Sequence, residues 1–385
     1  YTSGVVSDAT AITLSTRPDV STIFNTNSKN IDFLVYGVEN TPAFSVIATA
    51  STNPRITGTY YKYATQLRSS NGFDIDPFTS LIGSDGFGLN SDNNTVNYQE
   101  AVGTGVGSWS GMVSAVGTNG RSSYYGTYDQ NGNVYEWVED SNEVSTSSDQ
   151  YICGGSWRTM DPNGLRSYVP TPRITGYDDI GFRVCSKAGY EDEINDSIGL
   201  NFVLVGDTNN PGDTSDIYTE SFDNRFGLNI EPSPTTVTNL GSVSYPYKIA
   251  DKEIANTQYA TFLNAVATVS PVANIYRTEM STDDSGGIDR TGSGTSLDPY
   301  VYVVKDGMEN MPVVFVDYIN AIRFINWLSN GAPDAEDVDA GTTEYGSYEI
   351  GLVGSETVIV KNLNTNYWLP NIHEWHKAAY YEPLD

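Results

Sequence analysis

Basic residues are scarce in this chain. Lys and Arg number 20 against 48 Asp and Glu in 385 residues, a formal net charge of −28. So negative a surface repels nucleic acid and anionic membranes, and suits solubility in salt or the binding of divalent cations. Long apolar runs are missing as well: no stretch reaches the roughly 18 residues a membrane-spanning helix needs. No signal peptide is visible, and the chain begins with Tyr1 rather than Met, so it is expected to be processed or part of a longer precursor. Histidine is limited to His373 and His376. Three positions apart on one expected helix, they have no evident third metal ligand, and surface or capping roles are expected of them. No Gly-x-Ser-x-Gly elbow and no Gly-Lys-Ser/Thr phosphate loop occur. Cysteine is reduced to Cys153 and Cys185.

What the chain has in quantity is Gly (36), Tyr (27) and small polar residues, which indicate a loop-rich, β-leaning protein. Aromatic residues make up 12%, too many for a disordered chain. The length allows one large domain or two modest ones, with a sizeable core. Alternating stretches at 11–16, 31–36 and 44–50 read as short strands between turns. Further on, Tyr259, Phe262, Leu263 and Val266 share one face of an expected helix with Asn256 as N-cap. After Asp317, a second helix gathers Ile319, Ile322, Phe324, Ile325, Trp327 and Leu328 into a broad apolar face. A third is expected to begin near Asn371, carrying Trp375, Ala378 and Ala379. The acidic runs at 283–287 and 334–339 read as solvated loops.

Six segments carry a specific pattern: Tyr-Asp-Gln-Asn-Gly-Asn-Val-Tyr-Glu-Trp (128–137), Gly-Gly-Ser-Trp (154–157), Gly-Phe-Arg-Val (181–184), Ala-Asn-Thr-Gln-Tyr-Ala-Thr-Phe-Leu-Asn (255–264), Met-Pro-Val-Val-Phe-Val-Asp-Tyr (311–318) and Tyr-Trp-Leu-Pro-Asn-Ile-His-Glu-Trp-His-Lys-Ala-Ala (367–379). Together they resemble the formylglycine-generating-enzyme (sulfatase-modifying factor) family. The resemblance implies an α+β protein with an elaborated C-type-lectin-like fold, loop-rich, here with a small β-rich N-terminal segment. In that family the helix-bearing segments come first and the Glu-Trp, Gly-Gly-Ser and Gly-Phe-Arg segments last; in this chain the closing half precedes the opening half. The expected organisation is therefore a β-rich segment or insertion over 1–54, the closing half over 55–187, an acidic linker over 188–198 and the opening half over 199–385. The two halves could close on one another within one chain, complete each other between neighbouring copies in a head-to-tail polymer, or form a window on a longer tandem array.

The resemblance also assigns chemistry. The family's copper-binding cysteine pair lies three and eight positions after the Ser of Gly-Gly-Ser, and those positions are Thr159 and Gly164. Neither supplies the thiolate that is both ligand and nucleophile, so no copper and no oxidase activity of this type are expected. A calcium ion is expected instead, with Asp129 and Glu136 giving side-chain oxygens and Gly132 and Val134 carbonyls, since a hard cation wants several oxygens and a tight turn gathers them; the alternative is an ordinary hairpin turn with solvated carboxylates. A second family site points to Asn97. Cys153 and Cys185 flank two segments that form core strands in the family. A disulfide between them would add roughly 3–4 kcal/mol; two buried reduced thiols are the other reading. Trp137, Trp157 and Phe182 are expected in the core, and Arg166 and Arg183 as structural hydrogen-bonders.

These features lead to the expectation of a non-catalytic structural protein, extracellular or on a particle surface, that assembles with copies of itself and is stabilised by calcium. The alternative is a lectin-like adhesin whose Tyr-, Ser-, Gly- and Asn-rich loops bind a glycan or protein ligand. Neither reading involves nucleic acid or membrane insertion.

Overall fold

The structure is a computed structural model that describes residues 58–61, 64, 78–79, 82, 87–88, 95–98, 112–139, 144–146, 150–159, 164–165, 168–171, 176–190, 197–214, 217–219, 233–235, 239–271, 274–339, 341–353 and 356–383. The chain divides between Arg55 and Ile56, and every described residue falls within Ile56–Asp385. The β-rich segment expected over 1–54, with its three strands, and Arg166 lie outside the described residues.

Ile56–Asp385 is an α+β unit of short strands and helices, among them α1 (Asn256–Val266), α2 (Glu279–Thr282), α3 (Tyr318–Ser329) and α4 (Ile372–Tyr380). A four-stranded antiparallel sheet runs in the order Phe202–Val205, Tyr247–Ala250, Cys185–Lys187, Tyr367–Trp368. Its third strand comes from the first half of the sequence and the others from the second. A second four-stranded sheet, ordered Tyr168–Thr171, Gln150–Cys153, Tyr135–Glu139, Ile180–Phe182, has one parallel pairing, between its last two strands. A three-stranded sheet joins the hairpin Tyr348–Val353/Glu356–Lys361 to Val144–Thr146. Sequence-distant partners are thus the rule.

The two ends of the unit also meet. Gly58–Tyr60 pairs antiparallel with Tyr381–Pro383, and the Tyr61 amide donates to the Tyr380 carbonyl at 2.9 Å. This seam lies directly after α4, whose start is fixed by a capping box: Asn371 Oδ1 accepts from the His373 and Glu374 amides, and Glu374 Oε2 accepts from the Asn371 amide.

Most of the core forms where α1 and α3 meet the strand Ile180–Phe182. Tyr259, Phe262 and Leu263 of α1 are buried, as are Ile322, Phe324, Ile325, Trp327 and Leu328 of α3. Phe182 packs edge-on against Phe324 at 5.4 Å, and Phe262 lies 5.4 Å from Phe324 and 5.5 Å from Trp327. Fully burying one such side chain is worth about 1.5–3 kcal/mol, so the amphipathic faces seen in the sequence explain why both helices dock here. α3 begins after Asp317 and stops at Asn330, with Gly331 following at φ 90°. The cap expected at Asn256 differs: the helix already includes Asn256, whose Nδ2 donates to the Met308 carbonyl, while Gln258 Oε1 takes the Ala255 amide. Among the described residues no helix is long and apolar enough to cross a membrane.

Candidate functional site

The stretch 128–134 links the second sheet to its surroundings through backbone that only particular residues tolerate. Asp129 and Asn133 adopt φ of 56° and 58°, a left-handed conformation that Asp and Asn bear better than most residues. At Gly132 a Cβ would come within 2.4 Å of the Asn97 carbonyl oxygen, so glycine is required there. The Gly132 amide donates to Gly154 O and the Asn133 amide to Asn97 O, both at 2.8 Å. Asn131 serves the seam: its Oδ1 accepts from the Ala64 amide, while its Nδ2 donates to the Tyr380 hydroxyl and the Leu165 carbonyl.

Under this loop lies a charged centre shut off from solvent. Arg183 and Glu136 are both fully buried and pair through two hydrogen bonds, Nε to Oε2 and Nη2 to Oε1, each 2.5 Å. Such fork-to-fork pairing is the strongest geometry available to a guanidinium. Arg183 further donates from Nη1 to Ala250 O and from Nη2 to Tyr128 O, and Glu136 Oε2 also accepts from the Trp375 indole at 2.8 Å. Asp129 accepts from Asn119 Nδ2 at 3.0 Å and from the Gly117 amide. Glu253 Oε1 accepts from Asn133 Nδ2 at 3.1 Å, and Glu253 Oε2 is buried with no hydrogen-bond partner. Ser114, Asn97 and Asn119 complete the network around Asn133.

Three carboxyl groups therefore share one guanidinium. Burial opposes the charge on Arg183, but Glu136, with Glu253 and Asp129 beyond it, outweighs that and raises its pKa. Burial pushes Asp129 up to about 6 in spite of its hydrogen bonds from Asn119 and Gly117. Burial, then the charges of Asp129 and Glu136, hold Glu253 well above the ordinary carboxyl range. The electrostatic logic is that of neutralisation by one cation and retained protons.

The residues expected to hold calcium do not fit the ion in this arrangement. Both oxygens of Glu136 are directed at Arg183, and those of Asp129 at Asn119 and Gly117. Asn97 turns its amide nitrogen to Met112 O, Ser114 and Asn133, leaving its buried Oδ1 without a hydrogen-bond partner. Gly132 and Val134 are buried in the same loop; calcium asks for six to eight oxygens, and the carboxylates of Asp129 and Glu136 already accept from nitrogen donors. Among the described residues, no group of three or more His, Cys, Asp or Glu is placed to hold a metal ion.

The Gly-Gly-Ser segment lies next to this centre. A Cβ at Gly154 would come within 2.8 Å of Gln130 O and 3.0 Å of the Trp375 ring. Thr159 is buried, and its Oγ1 accepts the Ser156 amide at 2.9 Å, while Ser156 Oγ donates to Asp179 at 2.8 Å. Gly164, the other position of the expected cysteine pair, lies just before the buried Leu165. The cysteines themselves are free and buried, Cys153 in the strand Gln150–Cys153 and Cys185 in Cys185–Lys187, in different sheets. Of the two readings of this pair, a disulfide or two buried thiols, the structure has the second. Burial, reinforced by Glu136 at Cys153 and by Glu374 at Cys185, raises both thiol pKa values well above the ordinary one.

The expectation of surface or capping histidines also needs correcting. His376 is buried, with Nε2 2.9 Å from Asp213 and its ring 4.7 Å from that of Tyr380. His373 Nδ1 accepts from the Gly241 amide. Trp137, Trp157, Phe182 and Arg183 are buried as expected. Sequence reading missed Glu253, Ser114 and Asn119, which follow no periodic pattern, and gave no role to Asn133 although it lies inside the segment 128–137. Elsewhere, behind the end of α3, an open polar pocket of about 420 Å³ is lined by residues including Asn330, Asp337, Asp339, Thr342 and Tyr345.

Comparison with protein-family profiles matches residues 86–188 and 219–381 to the sulfatase-modifying factor enzyme 1-like domain. No curated protein and no solved structure matches the chain.

Proposed function

The chain belongs to the sulfatase-modifying factor family, and we propose that it is a non-catalytic member: a structural and binding module that keeps the family framework without its thiol chemistry. One observation carries this reading. Where a reactive thiol would be needed, the chain has a buried Thr159 whose hydroxyl is engaged by its own turn, and its two cysteines are sealed in separate sheets with their pKa values raised. A thiolate is the nucleophile and the soft-metal ligand in such chemistry, and neither burial nor raised pKa favours it. On this reading its fold is an elaborated C-type-lectin-like one.

The pairing of Gly58–Tyr60 with Tyr381–Pro383 supports closure of the two halves within one chain, leaving the outer loops free to recognise a glycan or protein ligand at an extracellular or particle surface. Assembly is the second reading, supported by the shortness of that seam, three residues on each side. The same contacts made between neighbouring copies would build a head-to-tail polymer. The catalytic part is tested by incubating the full chain with copper, oxygen and a cysteine-containing peptide; no oxidation of the peptide thiol is expected, and copper-dependent oxidation would overturn the proposal. Light scattering over a dilution series separates the two structural readings, since a closed monomer keeps its mass on dilution and an open polymer loses it.

A further inference from the structure

We infer that Arg183 is the built-in cation of this domain, standing where loop 129–136 would otherwise gather a calcium ion, so that this loop folds without metal. The donor set points this way. Arg183 is fully buried and spends its side-chain nitrogens on Glu136 twice, on Ala250 O and on Tyr128 O. Two of these acceptors, Tyr128 O and the Glu136 carboxylate, bracket the very turn that carries Asp129, Gly132 and Val134. The charges of Glu253 and Asp129 also act on this guanidinium. A calcium ion seated on Glu136 would compete with two 2.5 Å charge-assisted bonds for the carboxylate and bring a second buried positive charge against Arg183. Coulomb repulsion between two cations in a buried site is far larger than in water.

The test uses the full chain. Thermal unfolding is followed after exhaustive EDTA treatment and again in millimolar calcium, for the wild type, for Glu136→Gln and for Asp129→Asn. The wild-type midpoint is expected to be the same in both buffers. A calcium-dependent rise that persists in both variants would place an ion elsewhere in the chain and leaves Arg183 as the cation of this loop. A rise that either variant abolishes would overturn the inference, because it would put calcium on these carboxylates. Asp129→Asn keeps the Glu136–Arg183 pair intact, so the comparison holds even if Glu136→Gln does not fold.

Discussion

Around α1 and α3 the interior is made of rings: Phe182, Tyr259, Phe262, Phe324 and Trp327 lie within 5.3–6.4 Å of one another in successive pairs. Below the loop 128–134 it is made of amides, hydroxyls and charges, with Asn97, Ser114, Asn119, Asn133, Glu136, Arg183 and Glu253 all buried. The first region is held by burial of apolar area, which is non-directional and tolerates adjustment. The second is held by directional bonds whose loss strands a desolvated group. Substitutions in the two regions should therefore differ both in cost and in how that cost can be relieved.

The largest effect is expected from Arg183→Met. It leaves Glu136 buried and unpaired and removes donors from Ala250 O and Tyr128 O, at a cost of about 4 kcal/mol. The double variant Arg183→Met with Glu136→Gln should lose clearly less than the sum of the singles in denaturant titrations, because each partner's cost is mostly the stranding of the other. Additive losses would mean that the pair is not the centre of the polar region. On the apolar side, Leu263→Ala should cost about 3 kcal/mol. No second-site change of charge should restore it; if one does, the two regions are not separable.

Much of the apolar region was legible in the sequence, and the reason is periodicity. Tyr259, Phe262 and Leu263 recur at helical spacing, as do Ile322 with Ile325 and Phe324 with Leu328, and tertiary packing used those faces. The polar region was legible only in its fixed points. Glu136 and Arg183 sat in recognisable motifs, but no spacing rule connects residue 136 with 183, or 133 with 253, since those contacts are set by how loops return across sheets. The calcium expectation meets the same difficulty: a turn rich in oxygen looks alike in sequence whether a metal or a guanidinium completes it. His376 was misplaced because its partner, Asp213, lies 163 residues away.

A smaller, pH-dependent effect separates the regions further. The Asp129 pKa is raised in the folded state, from 3.8 to about 6. A raised carboxyl favours folding at low pH, and that contribution is lost as pH climbs through 6. Between pH 4 and pH 7 this one group should remove about 2 kcal/mol of stability. Asp129→Asn should flatten that part of the profile, whereas Leu263→Ala should lower stability equally at both pH values. A profile unchanged by Asp129→Asn would show that Asp129 titrates in the folded protein as it does in the unfolded chain.

The smallest effect tests where the two regions join. α4 carries Trp375, which donates to Glu136, and runs straight into the strand that closes on Gly58–Tyr60. Its first turn depends on Asn371 Oδ1, which accepts two backbone amides at 2.9 Å each. Asn371→Ala should cost about 1 kcal/mol, and Asn371→Asp or Asn371→Ser should recover most of it, as expected of a cap rather than of a packing residue. Hydrogen exchange locates the consequence. If α4 is the strut that couples the charged centre to the seam, the added exchange in Asn371→Ala should appear at Tyr61 and at Tyr381–Pro383 and spare α1 and α3. Equal acceleration in α1 and α3 would mean instead that the helix unfolds only with the whole unit, and that the polar and apolar interiors share a single cooperative fate.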